Sequence, residues 1–107
     1  MLGELINLFR RARASGLNVA WDGERLRVTG PRTAAALARE ILDRKPQLAQ
    51  DRTLVDVAMG RRNLLDWSHA RVGRPAACAL CGAPTPLRAP CGQPAHKTCA
   101  ERELRAR

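Results

Sequence analysis

Two closely spaced pairs of metal-ligand residues near the end of the printed sequence constrain the fold more than any other feature. Cys78 and Cys81 are separated by two residues, and so are His96 and Cys99. Two such pairs can supply the four tetrahedral ligands of one zinc ion, and a site of this kind folds a short segment without a large apolar core. The spacing therefore predicts a structural Zn²⁺ bound by these four side chains.

A further cysteine, Cys91, lies between the two pairs and leaves an alternative open. An all-thiolate site would use Cys91 in place of His96. We prefer the paired set because a two-residue spacer lets neighbouring ligands chelate one ion, with Cys91 left free in a turn. All four cysteines fall between positions 78 and 99 with a histidine among them, which fits a thiolate metal site in a reducing cytoplasm better than disulfides.

The residues around the ligands predict how this module is built. Gly82 directly follows the first pair, where it allows a tight turn that aims backbone amides at the sulfurs. The run from Cys99 to Leu104 favours a short terminal helix, whose N-terminus favours thiolate. A knuckle, a small hairpin and a closing pair at a helix start resemble the treble-clef and zinc-ribbon families. The resemblance implies a zinc-binding module over residues 78–107.

The chain is short and strongly basic. Its 107 residues contain 19 Lys and Arg against 10 Asp and Glu, a formal net charge of +9. A chain of this length buries only a modest core, so a structural metal is useful to it. The charge predicts an acidic partner, either a protein segment or nucleic acid. We expect no signal peptide, because the first eleven residues break into charges before any apolar run of the needed length. We also expect no membrane span, and a cytoplasmic location in keeping with the reduced cysteines.

Helical spacing and turn residues predict several helices. Apolar residues from Leu2 to Ala12 predict an amphipathic helix that ends at Ser15-Gly16. After Gly30-Pro31, Thr33 is the expected cap of a second helix, and Pro46 is suited to the first turn of a third that continues to Ala58. The apolar stripe of the second helix consists of Leu37, Ile41 and Leu42.

A β-hairpin is predicted between the first two helices, because Asp22-Gly23 separates two alternating runs. A turn at Asp22-Gly23 would pair Leu17 with Val28 and Val19 with Leu26 on the apolar face. The opposite, partly basic face carries four residues that we predict to bind a partner: Asn18, Ala20, Arg25 and Arg27.

The middle of the chain is predicted to join two parts. We expect a helical extension over residues 51–70 and a linker over 71–77. The extension would include a helical piece from Asn63 to Ala70. Its apolar residues need a partner surface, which favours a homodimer; they are Leu64, Leu65 and Trp67.

The first part, residues 1–50, resembles the TubC N-terminal docking-domain family. The resemblance rests on Gly16-Leu17-x-Val19, Asp22-Gly23-x-Arg25-Leu26-Arg27-Val28 and Gly30-Pro31, in that order between helices. It covers about residues 2–50 and implies a helix, hairpin, helix, helix fold that often dimerises. It also implies that the basic hairpin receives an acidic peptide, partly by strand addition. The chain is thus expected to be α+β, a docking-like domain followed by a C-terminal zinc-binding module.

Two functional classes follow from these observations. No phosphate-binding loop, nucleophile elbow or paired-carboxylate motif is visible, so we predict no enzymatic activity. The preferred function is a docking or adaptor protein that binds an acidic or extended partner segment through the basic hairpin. The alternative is a small nucleic-acid-binding accessory protein of a bacterial mobile element or phage, acting in replication or regulation.

Overall fold

The apolar stripe of the first helix decides where the core forms. In the computed structural model, which describes residues 1–106, helix α1 (Leu2–Ala14) buries one continuous side. The buried residues are Leu2, Leu5, Ile6, Leu8, Phe9 and Ala12. Their spacing of three and four positions places them on one helix face, as expected for an amphipathic helix that packs on a core.

The chain forms helices and two small antiparallel sheets, which confirms the α+β class. A single 3₁₀ turn over Arg32–Ala34 precedes the second helix. The remaining elements are β1 (Asn18–Asp22), β2 (Arg25–Thr29), α2 (Ala35–Asp43), α3 (Lys45–Ala49), α4 (Arg52–Ala58), β3 (Val72–Ala77), β4 (Pro84–Leu87) and α5 (Lys97–Arg105).

The first hairpin, β1–β2, has a different register from the predicted one. Asp22 pairs with Arg25 and Val19 with Val28, so the turn residues are Gly23 and Glu24. Gly23 has a φ of 61°, and within residues 1–106 no non-glycine residue has a positive φ, which is typical of a type II′ turn. The pairing differs from the prediction by two residues. A two-residue difference keeps every side chain on its face, so the predicted faces are nevertheless correct.

Two predictions for the second helix are wrong. Thr33 lies in the 3₁₀ turn and makes no side-chain cap, since α2 begins two residues later. Leu42 is 44% exposed, whereas Leu37 and Ile41 are buried. The apolar stripe of α2 is therefore narrower than its sequence indicates, and Leu42 lies at its exposed margin.

The predicted helical extension over 51–70 is wrong beyond Ala58. The expected third helix is divided into α3 and α4 by a break at Gln50 and Asp51, and residues 59–71 contain no helix. Leu65 and Trp67 are nonetheless buried, at 3% and 6% exposure, while Leu64 is 58% exposed. Because the chain itself covers two of the three apolar residues, they supply no surface for a second copy. The homodimer stays a prediction.

Residues 71–77 do not form the predicted linker, because most of them belong to strand β3. Ala76 pairs with Thr85 and Ala77 with Pro84, while Val72 pairs with Leu87 across an irregular stretch. β3 is exposed along most of its length. A short exposed hairpin, β3–β4, therefore leads directly into and out of the first cysteine pair.

The last helix connects the C-terminal hairpin to the rest of the molecule. α5 packs against both α1 and α4. Leu104 and Ala100 of α5 belong to the same buried cluster as Phe9 and Leu54. Among the helices of residues 1–106, none has both the length and the apolar character that crossing a bilayer requires. The N-terminal and C-terminal parts thus share one core, and the second ligand pair is anchored to it.

Candidate metal centre

The structure brings both predicted ligand pairs together. The ligand atoms of Cys78, Cys81, His96 and Cys99 all lie within 4.8 Å of one another. The first pair follows β3, and the second pair occupies the N-cap and the third position of α5. The two pairs reach one point because β3 and β4 pair on one side of the site and α5 begins on the other.

The distances fit a single tetrahedral ion. His96 Nδ1 lies 3.3 Å from Cys81 Sγ and 3.7 Å from Cys99 Sγ. With zinc–sulfur bonds of about 2.3 Å and zinc–nitrogen bonds of about 2.0 Å, a regular tetrahedron separates sulfur and nitrogen by about 3.5 Å. The observed values lie on either side of that separation. Three sulfurs and one imidazole nitrogen therefore form a donor set compatible with a metal ion.

Backbone amides around Cys78 favour its thiolate. The N–H groups of Leu80 and His96 each donate to Cys78 Sγ at 3.4 Å. The turn that aims the first of them closes through Gly82, whose N–H donates to the Cys78 carbonyl at 2.9 Å. Gly82 has a φ of 81°, a conformation that side-chain-bearing residues rarely adopt. The glycine after the first pair thus has the role that its position predicts.

The thiols of the cluster differ in acidity. Burial raises the pKa of Cys78, but hydrogen bonds from the backbone of His96, Leu80 and Cys81 outweigh burial, and the pKa falls to about 6. Burial raises the pKa of Cys99 to about 11, reinforced by the hydrogen bond and the negative charge of Cys81. Crowded sulfurs therefore do not all ionise without a cation. A divalent ion would displace the proton that Cys99 otherwise keeps.

Cys91 lies outside the four-ligand cluster. It is half-buried in a turn in which Gly92 N–H donates to the Ala89 carbonyl at 2.8 Å. The geometry thus groups the preferred set, with His96, and leaves out the all-thiolate alternative.

The four predicted partner-binding residues lie on one face of the β1–β2 hairpin. Arg25 is exposed and makes no ion pair within residues 1–106. Arg27 pairs with Asp22 at 2.7 Å, and Asn18 Oδ1 accepts a hydrogen bond from Arg61 Nη1 at 3.2 Å. Ala20 is half-buried. The face is therefore less cationic than predicted, because Asp22 neutralises one of its two arginines, Arg27.

Two arginines that no sequence motif marks bond to the backbone of the first hairpin, one at β1 and one at the turn. Arg61 donates to the Val19 carbonyl, and Arg52 donates to the Gly23 carbonyl. The Arg52 guanidinium also lies 4.3 Å from the centre of the Trp21 ring. No local pattern marks these contacts, since 29 and 42 positions separate the bonded residues.

The outer edge of β2 is not covered in this way. In a two-residue hairpin the pair next to the turn exchanges both backbone hydrogen bonds, and alternate residues point outward. Asp22 and Arg25 flank the turn, so Leu26 and Val28 direct their backbone groups outward. Within residues 1–106, no hydrogen bond reaches these N–H or C=O groups.

Comparisons with known proteins give no relative: no protein-family model, no curated protein and no solved structure matches the chain. The resemblance to docking domains and the resemblance to treble-clef or zinc-ribbon modules therefore stay predictions.

Proposed function

We propose that this chain is a non-enzymatic docking protein that contains structural zinc and binds an extended, acidic segment of a partner protein along the outer edge of β2. The zinc would be held by Cys78, Cys81, His96 and Cys99, which are the four clustered ligands. The metal would stabilise the C-terminal part, while the first hairpin would make the recognition contacts.

The donor set supports zinc in a structural role. Three thiolates and one imidazole are typical of structural zinc, which takes four protein ligands and leaves no position for a reacting water. The second pair lies on α5, which packs on α1 and α4. Zinc bound here would therefore fix the ends of β3, β4 and α5 relative to the shared core.

The single observation that carries the docking proposal is the unsatisfied outer edge of β2. Leu26 and Val28 each offer one N–H and one C=O with no partner in the described chain. An added strand pairs with such groups, and its side chains then meet the residues that flank them. On the outer edge of β1, by contrast, the Val19 carbonyl already accepts a hydrogen bond from Arg61, so β2 is the edge on which both outward residues are unpaired.

The residues along this edge favour an acidic strand. Arg25 and Arg27 are exposed on β2, on either side of Leu26. Arg25 makes no ion pair in the described chain, and Arg27 pairs with Asp22 on the surface, where such a pair contributes little. A carboxylate on the added strand can therefore engage Arg25 directly and compete for Arg27.

The test uses two synthetic peptides and the zinc-loaded, ¹⁵N-labelled protein. One peptide alternates valine with glutamate over eight residues, and the other alternates valine with lysine. We expect the acidic peptide to shift the amide resonances of Leu26 and Val28 and to slow their hydrogen exchange, because both amides gain a partner. The basic peptide should bind at least about tenfold more weakly, since it meets like charge at the edge.

Charge-reversed variants provide the control. Arg25→Glu with Arg27→Glu should abolish binding of the acidic peptide and leave the zinc content unchanged. Arg32→Glu with Arg39→Glu makes the same change in net charge at two exposed residues outside the hairpin, and it should bind nearly as the wild type does. Equal loss in both variants, or shifts confined to other amides, would refute docking at β2.

A further inference from the structure

We propose that the β3–β4 hairpin and the groove beside it form a second binding surface, one that takes the phosphodiester backbone of a nucleic-acid duplex. The first observation is the absence of acidic residues from this part of the chain: no Asp or Glu occurs from Trp67 to Ala100. The same 34 residues contain four basic residues, Arg71, Arg74, Arg88 and Lys97, of which Lys97 is paired with the buried Glu101. Zinc held by three thiolates would carry a net charge of 2 − 3 = −1, which leaves 3 − 1 = +2 from the three arginines.

The groove lies between the segment that precedes β3 and the turn that follows β4. Its volume is about 690 Å³, and Ser68, His69, Arg71 and Arg88 are among the residues that line it. One acidic residue, Asp66, reaches its rim, where Asp66 Oδ1 accepts the Ser68 N–H at 3.1 Å. The lining thus offers hydroxyl, imidazole and guanidinium groups, which are the usual partners of phosphate oxygens.

Arg88 is held in place by neutral acceptors. Its guanidinium donates to the Arg74 carbonyl at 2.6 Å and to the Pro86 carbonyl at 3.1 Å, with longer bonds to the carbonyls of Thr85 and Leu87. Carbonyl oxygens fix the orientation of the group without neutralising its charge. Arg88 is therefore a preorganised cation on the groove wall.

The backbone places two more arginines beside Arg88. The Arg88 N–H donates to the Arg71 carbonyl at 2.9 Å, and the Arg88 guanidinium bonds the Arg74 carbonyl. Both neighbours are exposed, and neither forms an ion pair within residues 1–106. In contrast, five arginines before position 62 pair with carboxylates; they are Arg10, Arg11, Arg27, Arg44 and Arg61.

The composition of the surface favours a duplex over a single strand. Proteins that bind single strands stack bases on exposed aromatic side chains. Trp67, the only aromatic residue between positions 60 and 106, is 6% exposed, so this surface has no stacking platform. Clustered arginines without aromatic neighbours instead suit the closely spaced phosphates of a duplex, which carries one charge per about 1.7 Å of its axis.

The test measures fluorescence anisotropy of labelled 24-base-pair DNA and RNA duplexes with the full-length, zinc-loaded protein from 50 to 200 mM salt. We expect micromolar or tighter binding that weakens steeply with salt. Arg71→Gln with Arg74→Gln should weaken binding about tenfold at 50 mM salt and reduce the slope of log K against log salt by about two, one for each lost phosphate contact. The two duplexes show whether DNA or RNA supplies the phosphodiester.

Three controls make the proposal falsifiable. Arg32→Gln with Arg39→Gln removes the same charge from exposed sites elsewhere and should change affinity less than twofold. The docking variant Arg25→Glu with Arg27→Glu should weaken duplex binding no more than the charge-matched variant Arg32→Glu with Arg39→Glu does. Equal affinities of these two variants would separate the duplex-binding surface from the β2 edge. The proposal is overturned by equal loss in the matched control, by tighter binding of a single strand, or by equal binding to phosphatidylserine vesicles.

Discussion

The two hairpins of this molecule have similar lengths and different sources of stability. β1–β2 has a regular five-pair ladder, a two-residue turn and an apolar face on which α2 and α4 pack. β3–β4 has an irregular register and is exposed along most of β3. The first hairpin is held by burial of one face, as is usual for a small sheet. The second hairpin buries too little apolar surface to be stable in the same way, so its stability depends on the metal-ligand loop that joins its two strands.

The two proposed ligands, a partner strand at β2 and a metal ion at the β3–β4 loop, would therefore have different effects on their hairpins. In β1–β2 the core already fixes the strands, so the free edge of β2 can accept a strand without reorganising the protein. In β3–β4 the loop between the strands carries Cys78 and Cys81, so binding of a metal ion there would be coupled to formation of the hairpin. Substitutions at three places in the molecule test this difference between the hairpins.

The largest effect is expected when a metal ligand is removed. Cys81→Ser should reduce zinc content from about one ion per chain towards zero, since structural zinc sites contribute binding energies of about 10–16 kcal/mol. Hydrogen-exchange protection should be lost across β3, β4 and the start of α5. β1–β2 should keep part of its protection because its apolar face still packs on α2 and α4. Elemental analysis and hydrogen exchange check both statements.

Cys91→Ser is the matched control, because Cys91 lies in the same module and outside the ligand cluster. It should bind zinc like the wild type, whereas His96→Ala should not. Zinc loss with Cys91→Ser but retention with His96→Ala would show that the ligand set is wrong. Equal loss of hydrogen-exchange protection in both hairpins would contradict separate sources of stability, because the chain would then unfold as one unit.

An intermediate effect is expected at the carboxylate that joins the two halves. Glu101 is 3% exposed, accepts the Leu65 N–H at 2.7 Å and pairs with Lys97. Glu101→Ala leaves the buried Leu65 amide without a partner. It should lower the free energy of unfolding, measured in urea, by about 2–4 kcal/mol. Glu103→Ala, on the same helix, removes only an exposed pair with Arg10 and should cost less than about 1 kcal/mol. Similar costs would mean that Glu101 does not connect the halves.

The smallest effect concerns pH and the segment between the hairpins. Burial raises the pKa of Asp51, although its hydrogen bonds with Trp67 and Thr53 oppose the rise. The folded protein therefore binds this proton more tightly than the unfolded chain, and the associated stability is lost as pH rises from about 4 through the folded pKa. Asp51→Asn keeps the acceptor for Trp67 Nε1 and does not titrate. Its melting temperature relative to wild type should rise between pH 4 and pH 7.

The melting temperature of Asp66→Asn relative to wild type should change with pH in the opposite direction. The hydrogen bond from Ser68 lowers the pKa of Asp66, so the wild type gains stability from the ionised form as pH rises through about 4. The melting temperature of the variant should therefore fall relative to wild type as pH rises towards about 4, and the difference should stay nearly constant above about pH 5. Metal-ligand titration contributes equally to all three proteins and cancels in these differences. If the melting temperatures of wild type and Asp51→Asn changed in parallel with pH, Asp51 would not be the source of this pH dependence.

The features that could be predicted from the sequence are those set by neighbours along the chain. Ligand spacing identified the four clustered residues, and the spacing in α1 identified its buried face. Alternation in the first hairpin gave the correct faces, but the position of the turn was wrong because Asp22-Gly23 and Gly23-Glu24 both place a glycine in the turn. In the observed register Asp22 lies opposite Arg25 on the neighbouring strand, and its carboxylate forms an ion pair with Arg27.

The features that could not be predicted depend on contacts between distant positions. Leu65 and Trp67 were assigned to a helix by their spacing, yet Trp67 bonds Asp51 and Leu65 bonds Glu101 from an irregular segment. β3 contains glycine and proline and shows no alternation, so nothing local marks it as a strand. It pairs because the metal-ligand loop and β4 return beside it. The elements that were missed are therefore those whose partners lie far along the chain.

The position of α5 beside α1 has a consequence for synthesis of the protein. Arg10 of α1 contacts Glu103 of α5 across 93 positions, so α1 leaves the ribosome long before α5, which packs on it together with α2 and α4. At about 5–20 residues per second, this interval is about 5 to 20 s. During that time the part of the α1 face that α5 covers is open to chaperones and to other chains. Zinc uptake at the start of α5 would then set the moment at which this exposure ends.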